Sequence, residues 1–164
     1  MSLKKYINSL IFENDFDHAN ELAKTGFWGR MGAGIMFVCP KEKTILLGQR
    51  SMDVEEPGTW GIFGGAVDEG EDIKKAAIRE AEEETGYTAS YGLVKPLFLY
   101  THSSGFKYAN FVCPVDHEFI PRLNWENKRT EWFNFGEWPT PLHFGVENIK
   151  NNSNAMDILR KIFQ

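Results

Sequence analysis

Between Asp72 and Gly86 the sequence predicts one amphipathic helix whose buried stripe is half acidic. Asp72 is a good N-cap, Ala76, Ala77 and Ala81 are strong helix formers, and Gly86 supplies the stop. At about 100° of rotation per residue, Ile73, Ala76 and Ala77 define an apolar arc roughly 100° wide. Glu80, Glu83 and Glu84 fall on that same arc one to three turns further along, whereas Lys74, Lys75, Arg79 and Glu82 point elsewhere. A run of charge on a helix is ordinarily a solvated face. Close carboxylates on a partly buried face, however, repel one another and lose hydration, at a cost on the order of several kcal/mol unless a cation compensates. No basic residue of this helix shares the arc. The arrangement therefore predicts a hard divalent cation, and magnesium typically uses a few carboxylates together with waters and substrate phosphates.

The glycines ahead of the helix add a second element. Gly64, Gly65 and Gly70 predict a loop whose backbone passes close to other groups and can offer amides or carbonyls to a metal–phosphate assembly; a tight strand-to-helix turn is the plainer alternative. Around this segment, strands are expected over Ala33–Cys39, Thr44–Gln49, Leu93–Thr101, Tyr108–Val115 and Thr130–Phe135. Apolar residues at Ala155, Ile158, Leu159, Ile162 and Phe163 have helical spacing, with Ser153 as the cap. A short helix is expected over Lys5–Phe12, and another from His18, capped by Asp17 and stopped by Gly26. Strands and helices alternate, so the fold class is α/β, a mixed sheet with helices packed on it. No linker or repeat divides the chain, and residues 1–164 are expected to form one domain with 1–32 as an N-terminal helical extension.

Charge limits the partners. With 18 basic and 23 acidic residues the formal charge is −5, which excludes a broad grip on a nucleic-acid duplex but not a small polyanion escorted by metal ions. No apolar run is long enough to span a bilayer, no secretory signal is evident, and a cytoplasmic location is expected. The two cysteines, Cys39 and Cys113, lie in strand-like runs without a CxxC pair, as free buried thiols in a reducing compartment would.

The segment Gly65–Tyr87 resembles the signature of the Nudix hydrolases. Gly65 is followed by five residues and Glu71, then by seven more and Arg79-Glu80-Ala81-Glu82-Glu83-Glu84-Thr85-Gly86-Tyr87, with every fixed position of the pattern matched. The departures are a small residue at Ala81, an aromatic at Tyr87, and Phe63 where many members carry proline. These are packing positions. The resemblance implies an α/β/α sandwich with a mixed sheet between helices, and a signature that forms a loop–helix–loop at one end.

By the same resemblance Glu83 and Glu84 would be metal ligands and Glu80 either a ligand or a general base, with the Gly64 carbonyl as an extra ligand. Arg79, Glu71, Gly65 and Gly86 would support the cluster. One further carboxylate from a loop is implied, for which Glu126 is the candidate and Glu131 the rival. The cofactor would be Mg2+, with Mn2+ able to substitute. Bound metal would neutralise the phosphate oxygens and activate water, and a carboxylate would take its proton.

Substrate identity is less legible. Phe27, Trp28, Trp60, Tyr100 and Phe106 are aromatics near expected loops and strand ends, where a base could stack. His102, in the loop Thr101-His102-Ser103-Ser104-Gly105, could overhang the site; His117 and His143 lack metal-ligand spacing. The partner is expected to be a small nucleoside diphosphate derivative: a dinucleoside polyphosphate, ADP-ribose, a nucleotide sugar or a triphosphate. Pro96 stands too close to the signature to mark an ADP-ribose subgroup. Two alternatives are a sensing module on a disabled scaffold, which should have lost helix glutamates, and an isoprenoid-diphosphate isomerase, whose reactive cysteine neither Cys39 nor Cys113 matches. Many relatives are dimers, which leaves room for a homodimer here.

Overall fold

The computed structural model describes residues 29–164. The helices expected over 5–12 and from His18, as well as Phe27 and Trp28, lie outside the described residues. The elements in chain order are β1 (Met31–Cys39), β2 (Thr44–Arg50), β3 (Trp60–Gly61), β4 (Phe63–Ala66), α1 (Ile73–Thr85), β5 (Lys95–Thr101), β6 (Lys107–Pro114), β7 (Asn127–Asn134), α2 (Phe144–Lys150) and α3 (Ser153–Ile162). Among the described residues no helix is long and apolar enough to cross a membrane.

β1 is the central strand, and its near-continuous apolar run follows from burial on both faces. Ala33, Ile35, Phe37 and Cys39 join Phe63, Phe111 and the alanines of α1 in one core. Met36 and Val38 join Val112, Val146, Ile149 and Leu159 in another, under α2 and α3. A mixed sheet is thus held between helices, as expected. β6 runs parallel to β1, and β5 is antiparallel to β6. The opposite edge of β1 is shared: its first half pairs with β4 and its last residues with β2, which pairs in turn with β3 and β7.

Several local expectations need correction. Gly64 and Gly65, read as part of a loop, lie in β4, and the two-residue β3 just before it was not anticipated. Glycine suits β4 because a Cβ at Gly64 would collide with the Ala33 carbonyl and the Tyr108 hydroxyl. The seven-residue α2 was not anticipated, and Asn152, not Ser153, caps α3 by accepting the Ala155 N–H at 2.9 Å. β7 starts at Asn127, three residues earlier than expected. α1 itself begins as predicted: the Asp72 carboxylate accepts the Lys75 N–H at 2.9 Å. It ends at Gly86, whose φ of 68° lies in the left-handed region and whose N–H reaches the Glu82 carbonyl at 2.8 Å. The buried face carries Ala76, Ala77, Ala81, Glu84 and Thr85, while Ile73, in the first turn, is exposed. Cys39 and Cys113 are buried and free.

Candidate active site

The buried face of α1 carries Glu84 into the middle of the fold, where it is only 4% exposed. Both of its oxygens have donors: the Gly64 N–H reaches Oε1 at 2.7 Å and Asn127 Nδ2 reaches Oε2 at 2.6 Å. Glu80, a turn earlier, lies against the Gly65 backbone so closely that a Cβ at Gly65 would stand 2.5 Å from its Oε2. A side chain at this position would displace the Glu80 carboxylate from its place against β4. Glu83 sits at the flank of the same face, and its side chain is 58% exposed.

Arg79 was expected to point away from the glutamates. Its Cα does, but the long side chain reaches back. Nη1 donates to Glu80 Oε1 at 2.6 Å and stands 3.6 Å from Glu83, while Nε and Nη2 each hold a Glu71 oxygen at 2.9 Å. Nη2 also donates to the Ala66 carbonyl at 3.2 Å, which ties the helix to β4. The fork geometry suits two carboxylates at once. Helix-wheel reasoning places Cα atoms and misses such a reach.

One guanidinium does not neutralise the group. Burial, and then the charges of Glu126 and Glu80, push the Glu84 carboxyl well above the usual carboxylate range. Burial pushes Glu80 up to about 7 even though Arg79 opposes the shift, with Glu83 and Glu126 adding to it. Glu71 moves the other way, lowered by its bond to Arg79. Glu126 therefore belongs to the cluster electrostatically. Glu131 does not join it, being exposed on β7.

The donors are all oxygen and share excess negative charge, which fits a hard divalent cation in chemical kind. The geometry is not a finished cage. Among the described residues no three acidic, histidine or cysteine side chains already stand as a metal-binding group. The reason is visible in the bonds above, since Gly64 and Asn127 occupy Glu84 and Arg79 occupies Glu80.

A cavity of about 620 Å³ opens beside the cluster. Gly64, Gly65 and Glu126 lie on its wall at the acidic end, with Arg50, Glu55 and Glu56. Tyr100, His102, Phe106, Tyr108, Asn110, Phe144 and Asn148 line the rest. Of the residues the sequence offered for substrate contact, Tyr100, His102 and Phe106 line this cavity. Trp60 does not: it is 3% exposed in the core under α2, edge-on to Phe133 with Arg129 over its ring.

Sequence reasoning missed Arg50, the one Lys or Arg among the described lining residues, and Asn127. It also missed His143, which caps α2 by accepting the Gly145 N–H at Nδ1 and faces Glu56 through Nε2 at 3.2 Å. Burial and the nearby Arg50 hold this imidazole down at about 3, so it is neutral with its proton on Nε2. None of these carried a spacing signal. Each becomes legible only when β2, β7 and α2 are brought together.

Comparison with known proteins follows the geometry. The family model described as NUDIX domain matches residues 29–151. Nudix hydrolase 10 of Arabidopsis thaliana is 40% identical over 83 residues, covering 48% of this chain and 29% of that protein. The chain spans under a third of the length of the curated relatives it matches. Among solved structures, a MutT NUDIX hydrolase from Burkholderia pseudomallei is similar at 28% identity and a TM-score of 0.59, over 73% of this chain and 94% of that one. The NUDIX domain of Shewanella oneidensis NrtR, solved with ADP ribose, shares the fold at 18% identity and a TM-score of 0.63, over 85% and 97% of the two chains.

Proposed function

The chain belongs to the NUDIX family, and we propose that it hydrolyses a phosphoanhydride bond in a nucleoside diphosphate bearing a further group, with a divalent cation held by α1. One observation carries the reading. Buried carboxylates with more negative charge than Arg79 can offset are packed against Gly64 and Gly65, at the mouth of a cavity with aromatic walls.

Glu83, Glu84 and Glu126 would hold the cation, with the Gly64 carbonyl as a further oxygen, and Glu80 would be either a further ligand or the general base. When bound, Mg2+ or Mn2+ supplies positive charge for the diphosphate oxygens and acidity for an attacking water. The chain's own groups do the rest. Arg79 holds Glu80 against Gly65 and keeps it oriented. In the second role, as general base, Glu80 would take the proton of the water as it attacks phosphorus. Arg50 places a fixed cation on the cavity wall, where the second phosphate would lie. Tyr100, Phe106 and Phe144 offer flat surfaces to the nucleoside. The ADP ribose bound by the Shewanella relative belongs to the same class of ligand.

Hydrolysis of a nucleotide panel with and without magnesium, in wild type, Glu83→Gln and Glu84→Gln, tests this reading. Magnesium-dependent cleavage of one or two members, reduced about a hundredfold in the variants, is the expected result. Full activity in both variants would remove α1 from the chemistry. Magnesium-dependent binding without turnover of any member would make the protein a sensing module instead.

A further inference from the structure

Tyr108 stands opposite Gly32 where β6 runs parallel to β1. Its ring leans across the sheet, over a trough that glycines leave open. A Cβ at Gly32 would meet ring carbons Cδ2 and Cε2, one at Gly34 would stand 2.5 Å from the hydroxyl, and one at Gly64 would collide with the same oxygen. Gly34 and Gly64 are paired on β1 and β4, so the phenol reaches over the central strand. It ends beside the residue whose N–H holds Glu84 at 2.7 Å. Three glycines on two strands make way for one side chain.

Phenylalanine would fill that trough as well, so the hydroxyl is what packing leaves unexplained. Among the described residues it has no hydrogen-bond partner. The buried side-chain atoms in that condition are Glu55 Oε1 and Asn110 Oδ1. The Tyr108 oxygen is not one of them because it opens into the cavity, whose wall Tyr108 helps to form. Its proton is firmly held. Tyrosine titrates at about 10, and burial, followed by the charges of Glu84 and Glu80, moves Tyr108 further up although Arg50 opposes them. A neutral donor is thus held, unused, at the end of the cavity where carboxylates gather.

The acceptor that suits it is a phosphate oxygen. A water on a cation turns its lone pairs to the metal and gives hydrogen bonds more readily than it takes them. A nonbridging phosphate oxygen carries charge and takes short, strong bonds from hydroxyls. Arg50 lines the same cavity and favours the same ligand.

We propose that the Tyr108 hydroxyl is a substrate-binding group that donates a hydrogen bond to a nonbridging oxygen of the diphosphate, between Arg50 and the glutamates. This rests on the cavity being the nucleotide cleft proposed above. The contact is with the part common to every candidate substrate, so it holds the diphosphate and is indifferent to the base.

Tyr108→Phe keeps the ring in its trough and removes only the oxygen. No bond within the protein is lost, so Tm and the affinity of the nucleotide-free protein for Mn2+ should match wild type. Titration calorimetry of the full chain with ADP, GDP, CDP and UDP in magnesium reads the ligand contact. Each diphosphate that wild type binds should bind the variant about tenfold or more weakly, the order of one hydrogen bond to a charged group, and by a similar factor whatever its base. Unchanged affinity for every diphosphate, or binding of none by wild type, overturns the proposal. A loss confined to one base would move the hydroxyl to the nucleoside and overturn it too. So would a parallel loss of Mn2+ affinity, which would make Tyr108 a support of the cation site. Failure of the hydrolase reading looks different: diphosphates bind, the variant still loses affinity, and no member of the nucleotide panel is turned over.

Discussion

The two ends of the cavity are built by opposite rules. At the acidic end, α1 and β4 supply the signature glutamates and their glycine seat, Glu126, Asn127 and Arg50 join from in and beside β7 and β2, and the charged side chains of α1 grip one another through Arg79. At the aromatic end, side chains arrive from β5, β6, the loop between them and α2. The first end carries more carboxylate than Arg79 offsets, which fits a cation in chemical kind. The second offers flat aromatic walls, which suit a planar group. On the proposed function, chemistry and contact with the nucleoside are separated along one cavity, so that each should be open to perturbation without the other.

The contrast breaks most visibly at Arg79. Arg79→Ala leaves Glu71, Glu80 and Glu83 without their shared partner, and the chelator-treated protein should lose about 2–4 kcal/mol of stability in urea unfolding. Saturating magnesium should recover part of that loss. A variant as stable as wild type in chelator would mean that the cluster is already relaxed by solvent.

A smaller effect is the pH dependence of Glu80. Its folded pKa of about 7 lies above the usual carboxylate value, so the native state binds an extra proton and loses stability as pH rises from about 4.5 through 7. His143 has the opposite slope, because its folded value of about 3 lies below that of the unfolded chain and stability rises from pH 3 to 6.5. Comparing wild type with Glu80→Gln cancels the histidine. In chelator the variant should gain on wild type across pH 4.5 to 7, by no more than about 3 kcal/mol, read as a difference in Tm. A difference that stays flat with pH would mean that Glu80 is ionised throughout.

The smallest effect belongs to the aromatic end. Tyr100→Ala should raise KM about tenfold, the order of one lost stacking contact, and leave kcat within about twofold. An equal fall in kcat would tie the aromatic wall to the reacting end and erase the distinction.

How much of this the sequence disclosed follows the same division. Glu80, Glu83 and Glu84 share one helix, where spacing alone fixes which residues meet, and the cap at Asp72 and stop at Gly86 are local chemistry. Ile73 and Arg79 escaped that logic, Ile73 being exposed in the first turn and Arg79 having a long side chain that outreaches its Cα. The glycines of β4 were read as a loop because a strand that needs no side chains has no alternating pattern to show. Trp60 was placed by its position next to those glycines, yet β3 turns it into the core against Phe133. Asn127, Asn110, Arg50 and His143 come from four distant segments, and only the sheet register joins them.

Binding of Mn2+ to the nucleotide-free protein, followed by electron paramagnetic resonance in wild type and Glu84→Gln, tests the central claim most directly. The account predicts saturable binding in wild type, accompanied by proton release near neutral pH as the raised carboxyls ionise. It predicts affinity about tenfold or more weaker in the variant. Equal binding by both proteins, or none by wild type, would contradict the assignment of α1 as the seat of a metal ion.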